Sequence, residues 1–425
     1  LNSEWEEKKL EELAVNLNSK RVPLSSRERE RLKKVYPYYG AQGIIDYVEN
    51  YLFDGEYLLI AEDGENLKSK KQHIANIAKG KFWVNNHAHI LLNNDLSDLY
   101  FLYYYINNTD ISGYITGSVQ PKLTKANLNM VKVLLPSLPE QRGISKILKA
   151  IDDKIELNNA INKNLEEMAQ ALFKRWFVDF EFSNENGEPY KSSGGEFEES
   201  ELGLIPKGWR VSILEEFCNI STEGVNPHLL TDKVFEHYSI PAFDDGKLPV
   251  FELGASIKSN KYKVHRNSIL VSKLNPETKR VWRPYCITED TICSTEFMNY
   301  LPKDPETFAF CYSVFNSESF YQFLISNTTG STNSRQRAKP KATLNYRMPV
   351  GNKSIITLFS KTVEAIFEQI SGLGLQNKQL ADIRDSLLPK LMSGEVRVPL
   401  NKEYPISQSS DLPLAAESNA QYSTT

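Results

Sequence analysis

The feature that most constrains this chain is a duplication. Placing Ser145 on Ser360, a shift of 215, brings Lys146/Lys361, Ala150/Ala365, Ile151/Ile366, Ile155/Ile370, Asn162/Asn377, Lys163/Lys378, Leu165/Leu380 and Leu172/Leu387 into register without a gap. Whatever residues 137–180 form, residues 357–394 must form again. Both read as long helices. The first opens on Ser137-Leu-Pro-Glu140, where Ser137 can cap free backbone donors, Pro139 sits where no N–H is needed, and Glu140 can close a capping box. Apolar residues then follow a seven-residue frame, Ile144, Ile151, Leu165 and Leu172 with Ile147, Ile161 and Met168 between them. The second copy repeats it as Phe359, Ile366, Leu373, Leu380 and Leu387, with Ile383 between. This is a coiled-coil seam, or else two ordinary amphipathic core helices. Asn158 occupies a seam position whose mate is Leu373. A polar residue there fixes register, which suggests that the helices pair with each other. Gly372 and Gly374 each weaken the second helix by about 1 kcal/mol relative to Ala, so a break or bend is expected there.

A second repeat precedes each helix at a different shift. Trp5-Glu-Glu-Lys-Lys-Leu10-Glu-Glu-Leu13 matches Trp209-Arg-Val-Ser-Ile-Leu214-Glu-Glu-Phe217, 204 residues on. The regions between these fixed ends are therefore free to differ. In the first, β-like runs at 43–48, 56–61, 81–84 and 88–92 are separated by turn signals, and 99–107 reads as a short aromatic helix. Tyr38-Tyr39-Gly40, the cluster Lys68/Lys70/Lys71/His73 and Gly117-Ser-Val-Gln120-Pro-Lys122 supply polar and aromatic groups; such a cluster can equally be a solvated face. Residues 183–201, rich in Glu, Gly and Ser, read as a linker with no means of forming a core.

The second region has its clearest strands at 268–272 and 295–301. One of two stretches with chemistry is the polar, basic loop Ser272-Lys-Leu-Asn275-Pro-Glu-Thr-Lys279-Arg280. The other is Ser334-Arg335-Gln-Arg337-Ala-Lys339-Pro-Lys341. In an extended backbone alternate side chains lie about 6.6–6.8 Å apart on one face, so Arg335, Arg337, Lys339 and Lys341 would form a basic row suited to phosphates. Residues 399–425 read as a disordered tail.

Composition narrows the function. With 425 residues, 40% hydrophobic and 24% charged, the chain is long enough for two to four ordinary globular domains. No apolar run approaches a membrane span, and residues 1–20 do not spell a signal peptide, so a cytoplasmic protein is expected, with an initiator methionine or tag lost ahead of Leu1. A net charge of −4 argues against indiscriminate coating of nucleic acid. Cys218, Cys286, Cys293 and Cys311 lack the close pairing of a zinc site and read as buried thiols. No Gly-rich phosphate loop, dinucleotide fingerprint, HExxH or Asn/Asp-Pro-Pro-aromatic methyltransferase motif occurs. Glu277-x-Lys279 is a fragment of a nuclease-like pattern without an acidic partner.

In order and in duplication, these motifs resemble the specificity subunit of type I restriction-modification enzymes. The resemblance rests on Leu138-Pro-Glu-Gln141, Leu204-Ile-Pro-Lys-Gly-Trp209, Ser272-Lys-Leu-Asn-Pro276, Gly330-Ser-Thr-Asn-Ser-Arg-Gln-Arg337 and Asp385-Ser-Leu-Leu-Pro-Lys-Leu-Met-Ser-Gly394. It implies an α+β fold with two globular α/β target recognition domains, separated by two long conserved helices that form an antiparallel coiled coil with pseudo-two-fold repetition. The expected boundaries are 1–136 and 204–353 for the recognition domains, 137–180 and 354–398 for the helices, 181–203 for the linker and 399–425 for the tail.

The resemblance also implies a non-catalytic subunit that reads a bipartite duplex DNA target. It would position two methyltransferase subunits, which bring S-adenosylmethionine, and restriction subunits, which use ATP and Mg; this chain itself would bind no cofactor or metal. The DNA-facing candidates that the resemblance implies are Lys273, Asn275, Arg335 and Arg337 in the second domain and Gln120 and Lys122 in the first, where the Ser-Arg-Gln-Arg element is missing; Arg280 from the basic loop and Lys339 and Lys341 from the basic row are added to them. Tyr39, Gln42 and Lys70 join them on side-chain chemistry alone. Met348-Pro-Val-Gly-Asn-Lys353 departs from the family's opening of the second helix. Two rival readings stand beside this one: an autonomous DNA-cleaving enzyme with an unrecognised site, and a coiled-coil protein-binding scaffold.

Overall fold

The computed structural model describes residues 5–70, 72–117, 120–329 and 336–399. The expected tail, apart from its first residue, lies outside this range. The fold is α+β, and the chain divides into two compact units, one of residues 1–152 with 382–425, the other of residues 153–381. Both long helices, Leu138–Phe177 and Lys353–Met392, cross that division.

In the first unit the strands are β1 (Glu6–Lys9), β2 (Ala14–Asn16), β3 (Tyr36–Gly40), β4 (Gly43–Val48), β5 (Phe53–Ala61), β6 (Ala75–Val84), β7 (Ala88–Asn93) and β8 (Lys132–Leu135). Six of them form a sheet in the order β2-β7-β5-β6-β3-β4. Most pairs are antiparallel, β3 with β6 being parallel. Leu58, Leu59, Ile60 and Ala61 are all buried in succession, as suits a central strand covered on both faces. The aromatic helix Leu99–Asn108 begins where Asp98 Oδ1 accepts the Phe101 N–H at 3.0 Å.

β1 pairs antiparallel with β8, which leads directly into the first long helix. In the second unit Arg210–Ile213 pairs in the same way with Arg347–Val350, which leads into the second long helix. The repeat of Trp5 in Trp209 is thus a repeat of structure: each unit closes by joining its opening strand to its closing one. Between those strands the second unit differs. It carries a four-stranded sheet ordered Cys218–Ser221, Phe297–Pro302, Ile269–Ser272, Val281–Trp282. A five-stranded one is ordered Gly224–Val225, Lys261–Lys263, Thr291–Ser294, Val234–Tyr238, Val250–Leu253.

Within the first unit, Asp152 receives Arg384 at 2.9 Å, and Ile144 and Leu148 share a core with Leu391 and Met392. Within the second, Phe173 meets Phe359 with ring centroids 6.0 Å apart, while Asn158 Nδ2 donates to Gln376 Oε1 and Asn377 Oδ1, both at 2.8 Å. Rising numbers on one helix meet falling numbers on the other, so the helices are antiparallel in each unit. Asn158 is fully buried, whereas Ile151, Leu165, Leu172, Ile366, Leu373, Leu380 and Leu387 are half-buried. Ile147, Met168 and Ile383, read as seam residues, are exposed. The buried stripe moves instead to Leu148, Ala169, Phe173 and Phe177, because a 3.6-residue helix drifts against a seven-residue repeat.

Three other expectations are corrected. The second helix runs unbroken through Gly372 and Gly374. Residues 183–201 are not coreless: Tyr190 stacks on Phe182 at 4.7 Å, Phe182 stacks on Trp209 at 4.9 Å, and Phe197–Ser200 pairs with Gly203–Pro206. Glu140 is buried and forms a two-pronged pair with Arg397, at 2.5 and 2.8 Å, in place of a reach back to the helix start. Its neighbour Gln141 accepts the Asp98 N–H at 2.8 Å and donates to the carbonyls of Leu96 and Pro136. The Leu-Pro-Glu-Gln stretch is therefore a clamp. At the unusual opening of the second helix, Asn352 Oδ1 accepts the Ile355 N–H at 3.0 Å, and Gly351 admits Trp209, whose ring would lie 2.9 Å from an added Cβ.

Candidate nucleic-acid interface

In the second unit the two sequence-predicted stretches meet. The strand Ile269–Ser272 ends in the loop 272–280, and the backbone of that loop is laced to residues 336–338. Asn275 N–H donates to Gln336 O, Ala338 N–H to Lys273 O and Lys273 N–H to Glu296 O, each at 2.9 Å, while Leu274 bridges Arg337. Asn275 holds a left-handed φ of 45°, a conformation Asn accepts more readily than bulkier residues. Its Oδ1 is buried and has no hydrogen-bond partner among the described residues.

The cations differ in their freedom. Arg337 is exposed but forks onto both Glu296 oxygens at 3.0 Å, and this hydrogen bonding holds the Glu296 carboxyl below its ordinary range. Arg280 forks onto Asp244 at 2.7 and 2.9 Å with only 11% of its side chain exposed, so it braces the base of the loop and is not an open contact. Lys339 and Lys341 are exposed. The expected extended row ends at the short strand Arg337–Ala338, because Pro340 starts a helical turn, Pro340–Thr343, that contains Lys341. Arg335 lies outside the described residues. In the nuclease-like fragment, the Glu277 carbonyl accepts Tyr321 Oη, and Lys279 Nζ donates to the Asn316 carbonyl while burial lowers its pKa.

In the first unit Lys122 and Gln120 are exposed on a loop tied back by Thr116–Lys122 backbone bonds of 2.7 and 2.8 Å. Lys68 Nζ donates to Gly117 O at 3.3 Å on the same loop. Lys122 also lies 3.6 Å from Glu62, which binds Arg21 at 2.8 Å. Burial pushes the Glu62 carboxyl up, but the Arg21 hydrogen bond and the charges of His89, Arg21 and Lys122 outweigh it and hold the carboxyl low. Lys70, also left-handed with φ 47°, turns to Thr109 O at 3.0 Å and Asp110 at 3.5 Å. Gln42 is exposed in the β3–β4 turn, and Tyr39 is half-buried, which raises its phenol pKa. Sequence reasoning missed the partners Asp244, Glu296 and Glu62, which lie far along the chain from the cations they bind. It also passed over the run of cations at 27–34, visible simply as a density of Arg and Lys.

Two units that close in the same way, share duplicated helices and carry different polar loops define a protein with one framework and two variable surfaces. Residues 2–167 match the family model described as the type I restriction modification DNA specificity domain. A putative type I restriction enzyme specificity subunit of Haemophilus influenzae is 41% identical over 149 residues, covering 35% of this chain and 38% of that protein. The HindI specificity subunit of the same organism is 26% identical over 344 residues, covering 65% of this chain and 71% of that protein. In fold, the chain is similar to the type I restriction-modification S subunit from M. genitalium, with a TM-score of 0.58, 14% identity, and 92% of this chain and 97% of that one covered. Over residues 2–167 the chain carries the type I restriction modification DNA specificity domain, and beyond it the chain is similar in sequence and fold to type I restriction-modification specificity subunits.

Proposed function

We propose that this chain is the DNA sequence-specificity subunit of a type I restriction-modification complex, each unit reading one half of a bipartite duplex target. The observation that carries the reading is the repeated closure of two differently built units onto one duplicated pair of helices, in a chain whose residues 2–167 match the type I restriction modification DNA specificity domain. In this reading the variable loops read bases and phosphates. The helices, 40 residues and so about 60 Å each, are long enough against the roughly 34 Å turn of DNA to set the gap between half-sites. Two methyltransferase subunits and the restriction subunits dock on the chain in the cytoplasm. They bring S-adenosylmethionine, ATP and Mg, and the chain itself performs no chemistry.

The test is a genome-wide map of N6-methyladenine in cells holding the neighbouring methyltransferase, with and without this chain. A split motif that depends on the chain is the expected result. Equal methylation in both strains would overturn the reading and shift weight to a protein-binding scaffold.

A further inference from the structure

The cation run at 27–34 lies beside a sheet edge that no strand among the described residues pairs with. In the short helix Ser26–Glu30 and the residues after it, two cations brace the β3–β4 hairpin. Arg29 Nε binds Asp46 Oδ2 at 2.9 Å with its guanidinium 4.8 Å over the Tyr38 ring, and Lys34 Nζ binds Asp46 Oδ1 at 2.8 Å. Arg27, Arg31 and Lys33 are exposed and make no ion pair or side-chain hydrogen bond among the described residues.

β4 is the outer strand of the six-stranded sheet. It exposes Ile44, Ile45 and Tyr47, each by about half, with Val35 and Tyr51 exposed nearby. A free edge strand this apolar is a hazard in a protein with no partner for it. A register shift between Tyr38 and Tyr39 adds twist to the hairpin. Lys81 Nζ lies 4.7 Å over the Tyr51 ring, adding a further cation beside the strand.

We propose that the β3–β4 hairpin, with Arg27, Arg31 and Lys33, is a binding ridge for duplex DNA. Charge complementarity selects the occupant: three unpaired cations beside an apolar strand fit a polyanion that also presents apolar groups. A two-stranded ribbon is of a size to enter the major groove, where thymine methyl groups would meet Ile44 and Ile45 and where Gln42, in the turn, can reach a base edge. The cations would hold phosphates on either side. The ridge rests on the DNA-reading function above and gives the first unit a reading element that the loop at 117–122 alone does not.

Two variants of the full chain, assembled with its methyltransferase subunits, test the ridge. Arg27→Ala/Arg31→Ala/Lys33→Ala should reduce the slope of log affinity against log salt by about 2.7, about 0.9 for each phosphate that is no longer neutralised. Ile44→Ser/Ile45→Ser should relax the methylated motif in one half only. Both variants change exposed side chains, and an unaltered thermal melt confirms folding. If the wild-type complex methylates a split motif while both variants keep its sequence and salt slope, the ridge is wrong and the DNA-reading function stands. If the wild type shows no chain-dependent motif, the function itself fails.

Discussion

The two glycines of the second long helix should respond to the same substitution with opposite sign. An Ala in place of Gly in a helix interior gains about 1 kcal/mol from backbone entropy alone. At Gly372 an added Cβ meets nothing within 4 Å, so Gly372→Ala should keep that whole gain. At Gly374 it would lie 2.3 Å from Tyr285 Oη and 3.1 Å from Cζ. Tyr285 has little room to swing away, because it packs against the core of Tyr238, Trp282 and Phe297. Its phenol is buried enough to push its pKa up to about 12, with the Glu166 charge adding to the effect, and its own N–H donates to Tyr238 Oη at 2.7 Å. Overpacking of this kind costs about 1–3 kcal/mol, which outweighs the propensity gain. Gly374→Ala should therefore lose up to about 2 kcal/mol net, and Tyr285→Phe should recover part of the loss by removing the nearest atom. Urea unfolding of the intact chain, followed by far-ultraviolet circular dichroism, reads both changes as shifts in midpoint at constant slope. Equal shifts of the same sign at the two glycines would refute the steric argument.

Two further outcomes follow from buried and paired groups. Asn158→Leu takes the donor from Asn377 Oδ1 and should cost about 1–3 kcal/mol, whereas Asn158→Leu/Asn377→Leu should restore or exceed wild-type stability; a double-mutant cycle with no coupling between the two would count against a shared polar lock. Asp46 is held down to about 2 by its hydrogen bond from Lys34, then by the Tyr47 N–H and Arg29, against an ordinary value of 3.8. A depressed folded-state pKa stabilises above the unfolded value and is lost as pH falls through the folded one. The stability difference between wild type and Asp46→Asn should thus shrink from pH 5 down to about pH 2; a difference unchanged over that range would show that Asp46 carries no such linkage.

What is legible in the sequence is whatever a local pattern encodes. The strand runs at 43–48 and 88–92 and the aromatic helix at 99–107 are found within a residue or two as β4, β7 and Leu99–Asn108. What is illegible depends on distant partners. Gly374 reads as a weak point until Tyr285, from another part of the chain, fills the notch it leaves. Arg280 and Arg337 read as open cations until Asp244 and Glu296 come up to them. The stretch 183–201 misleads for a different reason: its average composition is polar, but Tyr190 and Phe197 are placed to pack with Phe182 and Phe180.

The duplication itself is only partly visible, because residues can share a place without sharing chemistry. Under the shift of 215, Phe182 falls on Arg397. No comparison of residue types would pair them. Yet Phe182 stacks on Trp209 at 4.9 Å, and the Arg397 guanidinium lies 5.7 Å over the ring of Trp5, the repeat mate of Trp209. In both units the chain leaving a long helix folds back to cover the tryptophan that opens the unit, once with an aromatic ring and once with a cation whose charge is taken up by buried Glu140. At the position matching Glu140 the second unit has Ile355, apolar where its partner ring is apolar. The two changes compensate each other: an arginine in place of Phe182 would face no carboxylate there, and a phenylalanine in place of Arg397 would leave Glu140 buried and unpaired. Each unit has kept the cover over its tryptophan by changing both sides of the packing together, which is why the structural repeat extends further than the sequence repeat that reveals it.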